Sequence, residues 1–465
     1  MHIFVFYGKI EVKETNIKIE RNRTQKMEKI YTDETRALMD FIKASPTAYH
    51  AVDSIGEKLE ACGFLPLAEG DKFELVPGGK YYVTRGRSSI IAFKIPSDRP
   101  SSFMIAASHS DSPTFKLKDS YEISSLGRYT KLNVERYGGM IMSSWFDRPL
   151  SIAGRVIVDN GGKLESKTVD LDRDVAIIPN ICIHFNRQAN EGYKYNAQVD
   201  MSPLIGSELS AGQLKKEIAK AVDVGEDAIV SSDLFLYNRT APAFIGLCGE
   251  YFSAPRIDNL GCAFSTFEGF IRSDGQNDVI SVCAMFDNEE TGSQSKQGAA
   301  STFLYDILTR ITLSLGIGGE DYLRMLASSF MVSADNGHAK HPNHPELSDA
   351  DNSPFMNGGV VIKYNANQRY TTDAVSAAIF EKICTRAGVP TQKFANRSDV
   401  LGGSTLGNIS NSQVSLNTVD IGLAQLAMHS AYETAGTADV YYMTRAIEEF
   451  FSSRIICSGD GCYEI

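Results

Sequence analysis

A chain of 465 residues can bury a large core and is too long for one ordinary domain, so two or three substructures are expected. Its composition, 43% apolar and 22% charged, is that of a soluble globular protein. With 57 acidic against 46 basic residues the net charge is -11, which argues against nucleic acid or an anionic membrane as a partner, since both demand a basic surface.

The opening MHIFVFYGK has too short an apolar run for a secretory signal and meets KETNIKIERNRTQK without a small-residue cleavage site. Residues 1-28 are read as a poorly ordered extension, with Met27 a candidate functional start. Ser45-Pro46 suggests an N-cap followed by proline at the first helical position, and Tyr49, Val52, Ile55, Leu59 and Cys62 then recur at helical spacing until Gly63. Residues 88–107 give two strand-like runs joined by a polar turn, the second ending in Ser108-His109-Ser110-Asp111.

From about 117 to 252 the character changes. Short alternating runs such as Arg155–Val158, the turn Asp159-Asn160-Gly161-Gly162 and a run at Val175–Phe185 predict antiparallel β, with helix only over Gln213–Val222. This reads as a β-rich domain, 117-252, inserted into a catalytic domain built from 29-116 plus 253-465. Beyond 253, strands near 281, 329, 359 and 415 alternate with helices near 262, 302, 373 and 437. The alternation predicts an α/β fold with a mixed, largely parallel sheet sandwiched by helices. No apolar run approaches the ~18 residues of a membrane span. The eight cysteines are scattered without a CxxC pair, which favours reduced thiols in a cytoplasmic protein. Cys457 and Cys462 fall in a tail expected to fray.

Chemistry gathers where strands end. In an open α/β sheet, ligands bind outside the carboxyl ends of the strands. Here the run Ser281–Phe286 breaks into Asp287, Asn288, Glu289 and Glu290, the run at 103 into His109 and Asp111, and SSFMVSA into Asp335, while Asp258 sits in PRIDNLG and His429 in LAMHSAYE. Imidazoles and carboxylates in these numbers suit a pair of divalent ions such as zinc, and carboxylates bridge ions about 3.5–4 Å apart. Asp258 could instead cap the helix that begins near Gly261. Asp111 is better placed to orient an imidazole than to bind metal. There is no HExxH. His338, His341 and His344 form the densest histidine cluster, but Pro342 and Pro345 break any helical register that would align them on one ion.

The segments SPTAYHAV, SHSDSPTFKLK, WFDRPLSIAGRV, NEGYKYN, SAPRIDNL, MFDNEETGS, SADNGHAKHPNHPEL, IKYNANQRYTTD, GGSTLG and VDIGLAQLAMHSAYETAGTAD, spread from Ser45 to Phe451, resemble the aspartyl aminopeptidase family of dinuclear zinc exopeptidases. The resemblance implies a catalytic α/β domain interrupted by a β-rich dimerisation insert. It implies two Zn2+ per subunit, one held by His109, Asp258 and Asp335 and the other by Asp258, Glu290 and His429, with Mn2+ or Co2+ as alternatives. Glu289 would be the general base and Asp111 its catalytic companion, orienting His109. Lys363, His338 and Gly403 would line the substrate pocket, and His184, in ICIHFNRQANEG, would serve a neighbouring subunit's site.

Implied partners are short peptides with a free N-terminus, acidic at that end, and further copies of the chain in dimers and dodecamers. Two departures stand out: Asn408 replaces the proline the family usually has after GSTLG, and residues 1-28 match nothing. Competing readings are an aminopeptidase of neutral, Leu-like specificity, a de-blocking amidase, or a catalytically silent assembly protein of the same fold. Loss of a ligand or of the base would mark the last, and all six positions are present.

Overall fold

The computed structural model describes residues 27–465. Of the expected extension, residues 1–26 lie outside that range, and Met27 and Glu28 open a helix over 27–44. Four strands form the centre of the molecule: Val279–Phe286, Ser102–His109, Phe330–Ala334 and Asn417–Gly422, adjacent in that order and mutually parallel. The first three are buried along their whole length, which is why their sequences read as continuous apolar runs and not as alternation. Antiparallel Ser89–Lys94 and Lys80–Arg85, then Leu65–Leu67, extend one edge; Val360–Tyr364 and Thr391–Ala395 extend the other, completing nine strands. The two runs within 88–107 are therefore not neighbours, because Val279–Phe286 lies between them.

Helices cover both faces. Ala48–Ala61, Ile257–Arg272, Ala374–Ala387 and Thr437–Ser452 bury Val52, Phe267, Phe380 and Phe450 against one. Phe303–Ser314 and Gly319–Ala327 bury Phe303, Ile307 and Met325 against the other. Register sets the edge that matters: Phe286 pairs with His109 and Ala334 with Ile421, so three of the parallel strands end level and the chain leaves each at the same rim. Gly422 is fixed by close approach, since a Cβ there would stand 1.9 Å from the Asp335 carbonyl oxygen.

A second, six-stranded antiparallel sheet runs Lys163–Asp170, Leu150–Asn160, Ile229–Asn238, Thr114–Ser125, Tyr129–Tyr137 and Leu204–Ser207, with its own core of Phe115, Trp145, Ile152, Val156 and Leu234. The Gly161-Gly162 turn forms as expected, both glycines at positive φ. The expected strand over Val175–Phe185 does not form. Only isolated bridges at Ala176, Ile177 and Ile178 remain, because Pro179 has no N–H to continue a ladder, and the chain beyond it loops out. Tyr251–Ala254, which straddles the expected boundary, pairs with Glu433–Gly436 in a five-stranded sheet that also holds Ala424–Leu426 and Gly337–His338.

Three other local expectations are corrected. The helix after Pro46 starts at Ala48 behind an extended Thr47, whose hydroxyl bonds the His50 ring and leaves the helix N–H groups alone. Helix Gly319–Ala327 was not anticipated, its two buried residues, Tyr322 and Met325, being too few to show a period. The tail does not fray: Ile456–Gly459 and Cys462–Glu464 form a hairpin in which Cys457 and Cys462 are free thiols. Among the described residues no helix is long and apolar enough to cross a membrane.

Phe330 is fully buried in a central strand, with Phe450 of a covering helix 6.1 Å away. Phe330→Ala lowers stability by about 3–5 kcal/mol through lost burial and a residual cavity, read as an earlier midpoint in urea denaturation.

Candidate metal centre

The rim of the parallel strands gathers side chains from five distant segments. His109 is the last residue of its strand and Asp335 follows directly on Phe330–Ala334. Glu289 and Glu290 sit in a single helical turn after Val279–Phe286, entered through Asn288 in the left-handed region (φ 61°). Asp258 precedes the regular part of Ile257–Arg272, with an extended ψ of 108°, so it projects toward the rim and does not act as the cap of that helix. His429 lies between Ala424–Leu426 and Glu433–Gly436, again left-handed (φ 65°).

These side chains converge. One ligand atom each from His109, Asp258 and Asp335 lies within 4.8 Å of the others, and the same holds for Asp258, Glu290 and His429 and for His109, Glu289 and Glu290. His109 Nε2 is 3.6 Å from Asp335 Oδ1, 3.8 Å from Asp258 Oδ1 and 3.9 Å from Glu289 Oε2. His429 Nε2 is 3.3 Å from Asp258 Oδ2 and 3.4 Å from Glu290 Oε2. Asp258 thus turns one oxygen to each imidazole, and its Oδ1 is buried without a hydrogen-bond partner among the described residues. An unpaired carboxylate oxygen facing nitrogen and oxygen donors is the environment a divalent cation fills.

Asp111 organises the rim without being one of these grouped ligand atoms. His109 Nδ1 is 3.1 Å from the Asp111 carbonyl and 3.3 Å from its Oδ1, which leaves Nε2 facing the cage. The Asp111 carboxylate also accepts the Glu289 N–H (3.1 Å), the Glu290 N–H (3.2 Å) and the hydroxyl of Tyr137 (2.7 Å), a residue of the six-stranded sheet. The neighbouring cavity, about 190 Å³, is lined by His109, Glu289, Asp335, His338, Lys363, Tyr370, Phe394, Gly403 and His429 among others. Lys363 is buried; its Nζ donates to the Asn336 carbonyl (2.8 Å), stands 3.9 Å from Asp335 Oδ2 and lies over the Tyr370 ring.

His184 does not join them. It is exposed on the loop that follows Pro179, and His341 and His344 are exposed as well, so only His338 of the histidine cluster reaches the cavity. Sequence reasoning passed over Glu433, whose buried carboxylate accepts the Asp258 and His429 N–H groups, and Asp420, which accepts from Thr371 and Thr405 and so ties down both loops flanking the cavity. Their partners are backbone amides or distant hydroxyls, which no local pattern announces.

Crowded carboxylates resist ionisation. Burial, reinforced by Asp335, Asp111 and Asp258 against the pull of His109, pushes the Glu289 carboxyl up to about 8. Burial and then Asp258 raise Glu290 well above the usual range, and burial with Asp258 pushes Glu433 up to about 8. Burial works against a charged His109, yet Asp111, Asp335 and Glu289 prevail and raise it. Burial likewise opposes an ionised Asp335, but Lys363 and His109 hold it low.

Such a rim on an α/β sheet defines a metal-dependent hydrolase. A family model described as aminopeptidase I zinc metalloprotease (M18) matches residues 41–451. The "Probable M18 family aminopeptidase 2" of Clostridium acetobutylicum is 44% identical over 425 residues, covering 90% of this chain and 98% of that one. A chain in the cryo-EM structure of the Ape4 and Nbr1 complex superposes with a TM-score of 0.86 at 36% identity, covering 91% of this chain and 86% of that chain. The S. cerevisiae mApe1 dodecamer supplies another at 0.80 and 27%, covering 90% and 97%. The chain belongs to the M18 family of zinc metallo-aminopeptidases.

Glu289 and Glu433 have folded pKa values near 8 against about 4.5 unfolded, so the folded state holds more protons between those limits and stability falls as pH rises across them. Chelator-treated protein loses thermal stability from pH 5 to pH 8, and zinc restores it most at the upper end, as differential scanning calorimetry will register.

Proposed function

We propose that the protein is a dinuclear metal aminopeptidase that removes the N-terminal residue of short peptides, with Glu289 as general base and a preference for Asp or Glu at that residue. The observation that carries this reading is the pair of donor groups sharing Asp258, His109–Asp258–Asp335 and Asp258–Glu290–His429. The donor set suits Zn2+, and Mn2+ or Co2+ fit the same nitrogen and oxygen ligands. Two divalent cations bound there supply a water of lowered pKa and polarisation of the scissile carbonyl.

The protein's own groups do the remaining work. Glu289 lines the cavity next to the ligand Glu290 and is placed to take a proton from the attacking water and return it to the departing amine. Asp111 fixes the turn that carries both glutamates and keeps Nε2 of His109 toward the cage. The free α-amine of the substrate meets the carboxylates of the rim, which confines cleavage to the first residue.

The acidic preference rests on Lys363, a cation within the cavity wall beside His338 and Gly403. A small cavity with a buried ammonium favours a short anionic side chain. A second reading has its own observation: Lys363 already serves Asp335 and the Asn336 carbonyl, and if that is its whole role, neutral residues such as Leu are cleaved at least as fast. For assembly, Ile181, Ile183 and Phe185 surround His184 with exposed apolar surface, which supports self-association into dimers and dodecamers in which His184 reaches a neighbour's site.

Glu289→Gln is expected to retain both metals by elemental analysis while kcat falls about 10²–10⁴-fold; near-normal turnover at full metal content rules the role out. Lys363→Met is expected to lower kcat/KM for Asp and Glu peptides about tenfold more than for Leu peptides, the loss of one charge-assisted contact, any loss common to all three reporting its support of Asp335. Faster cleavage of Leu than of Asp by the unmodified enzyme selects the second reading.

A further inference from the structure

We propose that Glu433 is a positioning residue that sets the His429 side of the metal centre from behind. The proposal rests on the dinuclear reading above. Glu433 is buried to 1% exposure and is absent from the wall of the cavity that holds Lys363 and His338; it stands on the other side of the centre, in the wall of a second cavity with Asp111 and Asp258. One oxygen accepts the Asp258 N–H (2.9 Å), and the other accepts the His429 N–H (2.7 Å) and faces Gln425 Nε2 at 3.4 Å. A single carboxylate thereby pins two ligand-bearing backbones that are remote in sequence.

Both pinned residues need it. Asp258 and His429 depart from the regular elements they adjoin, and His429 adopts a left-handed conformation that a non-glycine residue holds only when its surroundings impose it. The pair is not symmetric. Asp258 leads into a buried 16-residue helix and its carbonyl accepts from Ser112 Oγ (2.6 Å), whereas His429 stands in a short turn, where its carbonyl accepts the Ile141 N–H (2.9 Å) and its ring meets the Gly139 backbone. Gln425 extends the strut: its Oε1 accepts Asn336 Nδ2 (2.8 Å), the residue after Asp335, whose carbonyl receives Lys363.

A carboxyl group, protonated or ionised, presents an accepting oxygen on each arm. Glutamine turns an NH2 toward one of the two N–H groups, leaving a buried donor facing a donor. His109 is held by Asp111, and Asp335 by its strand and Lys363, so neither depends on Glu433. Loss of Glu433 therefore loosens the site that contains His429 in preference to the one that contains His109.

The test is calorimetric titration of Zn2+ into chelator-stripped full-length protein, unmodified and Glu433→Gln, with steady-state kinetics in parallel. The expected result is two zinc ions on the unmodified protein. On the variant, one site stays within about threefold of its normal affinity and the other weakens about 10–100-fold. Its kcat falls and recovers as zinc is raised, at unchanged KM. Unchanged affinity at both sites, equal weakening of both, or a kcat loss that persists with both sites filled overturns the proposal. An unmodified protein that binds fewer than two zinc ions instead overturns the dinuclear reading itself. Should Glu433→Gln not fold, Glu433→Asp, which keeps the charge but shortens the reach so that only one N–H is met, carries the same expected and overturning results.

Discussion

Mutual repulsion among closely packed carboxylates is the constraint under which the rest of the molecule is built. Two unit charges about 4 Å apart in a partly buried site repel by roughly 4 kcal/mol, and carboxylate oxygens of Asp258 and Asp335, of Asp258 and Glu290, and of Glu289 and Glu290 lie within 4.8 Å of one another. The protein's answer is visible in its hydrogen bonds. Asp111 is compensated by two backbone amides and a tyrosine hydroxyl, Asp335 by a lysine and an imidazole, and Glu433 by two more amides. Among the described residues Asp258 Oδ1, the atom turned toward His109, is buried without a hydrogen-bond partner.

The sheet makes that arrangement affordable. Four parallel strands between two layers of helices form a rigid block that does not yield when charges at its rim push apart. Three end at the same level, so residues adjacent to strand ends become neighbours without long side chains having to reach. The five-stranded sheet holds Glu433, Gln425 and His338 and so brings them within reach of the same centre.

How much of this could be read from the sequence depends on the range of the interaction. Continuous apolar runs bounded by polar residues located the central strands, and the chemistry of the residues just after them picked out His109, Glu289, Glu290 and Asp335. Their division between two ions came from the resemblance alone. Pro179 stopped a strand that alternation had suggested, because the pattern records side chains and not missing amides. Glu433, Asn336, Gln425 and Tyr137 were illegible: each acts on a partner far along the chain, most often a backbone group that looks alike at every position. His184, by contrast, was singled out and stays apart from its own chain's centre, exposed on the loop beyond Pro179.

The Tyr137 hydroxyl on Asp111 binds the two large sheets more intimately than packing alone would. It carries the antiparallel layer to within one side chain of the reacting centre. A lineage could therefore not trade this layer for an unrelated one, or shed it to become smaller, without rebuilding the support of the glutamate turn at the same stroke, and the two parts are bound to change together.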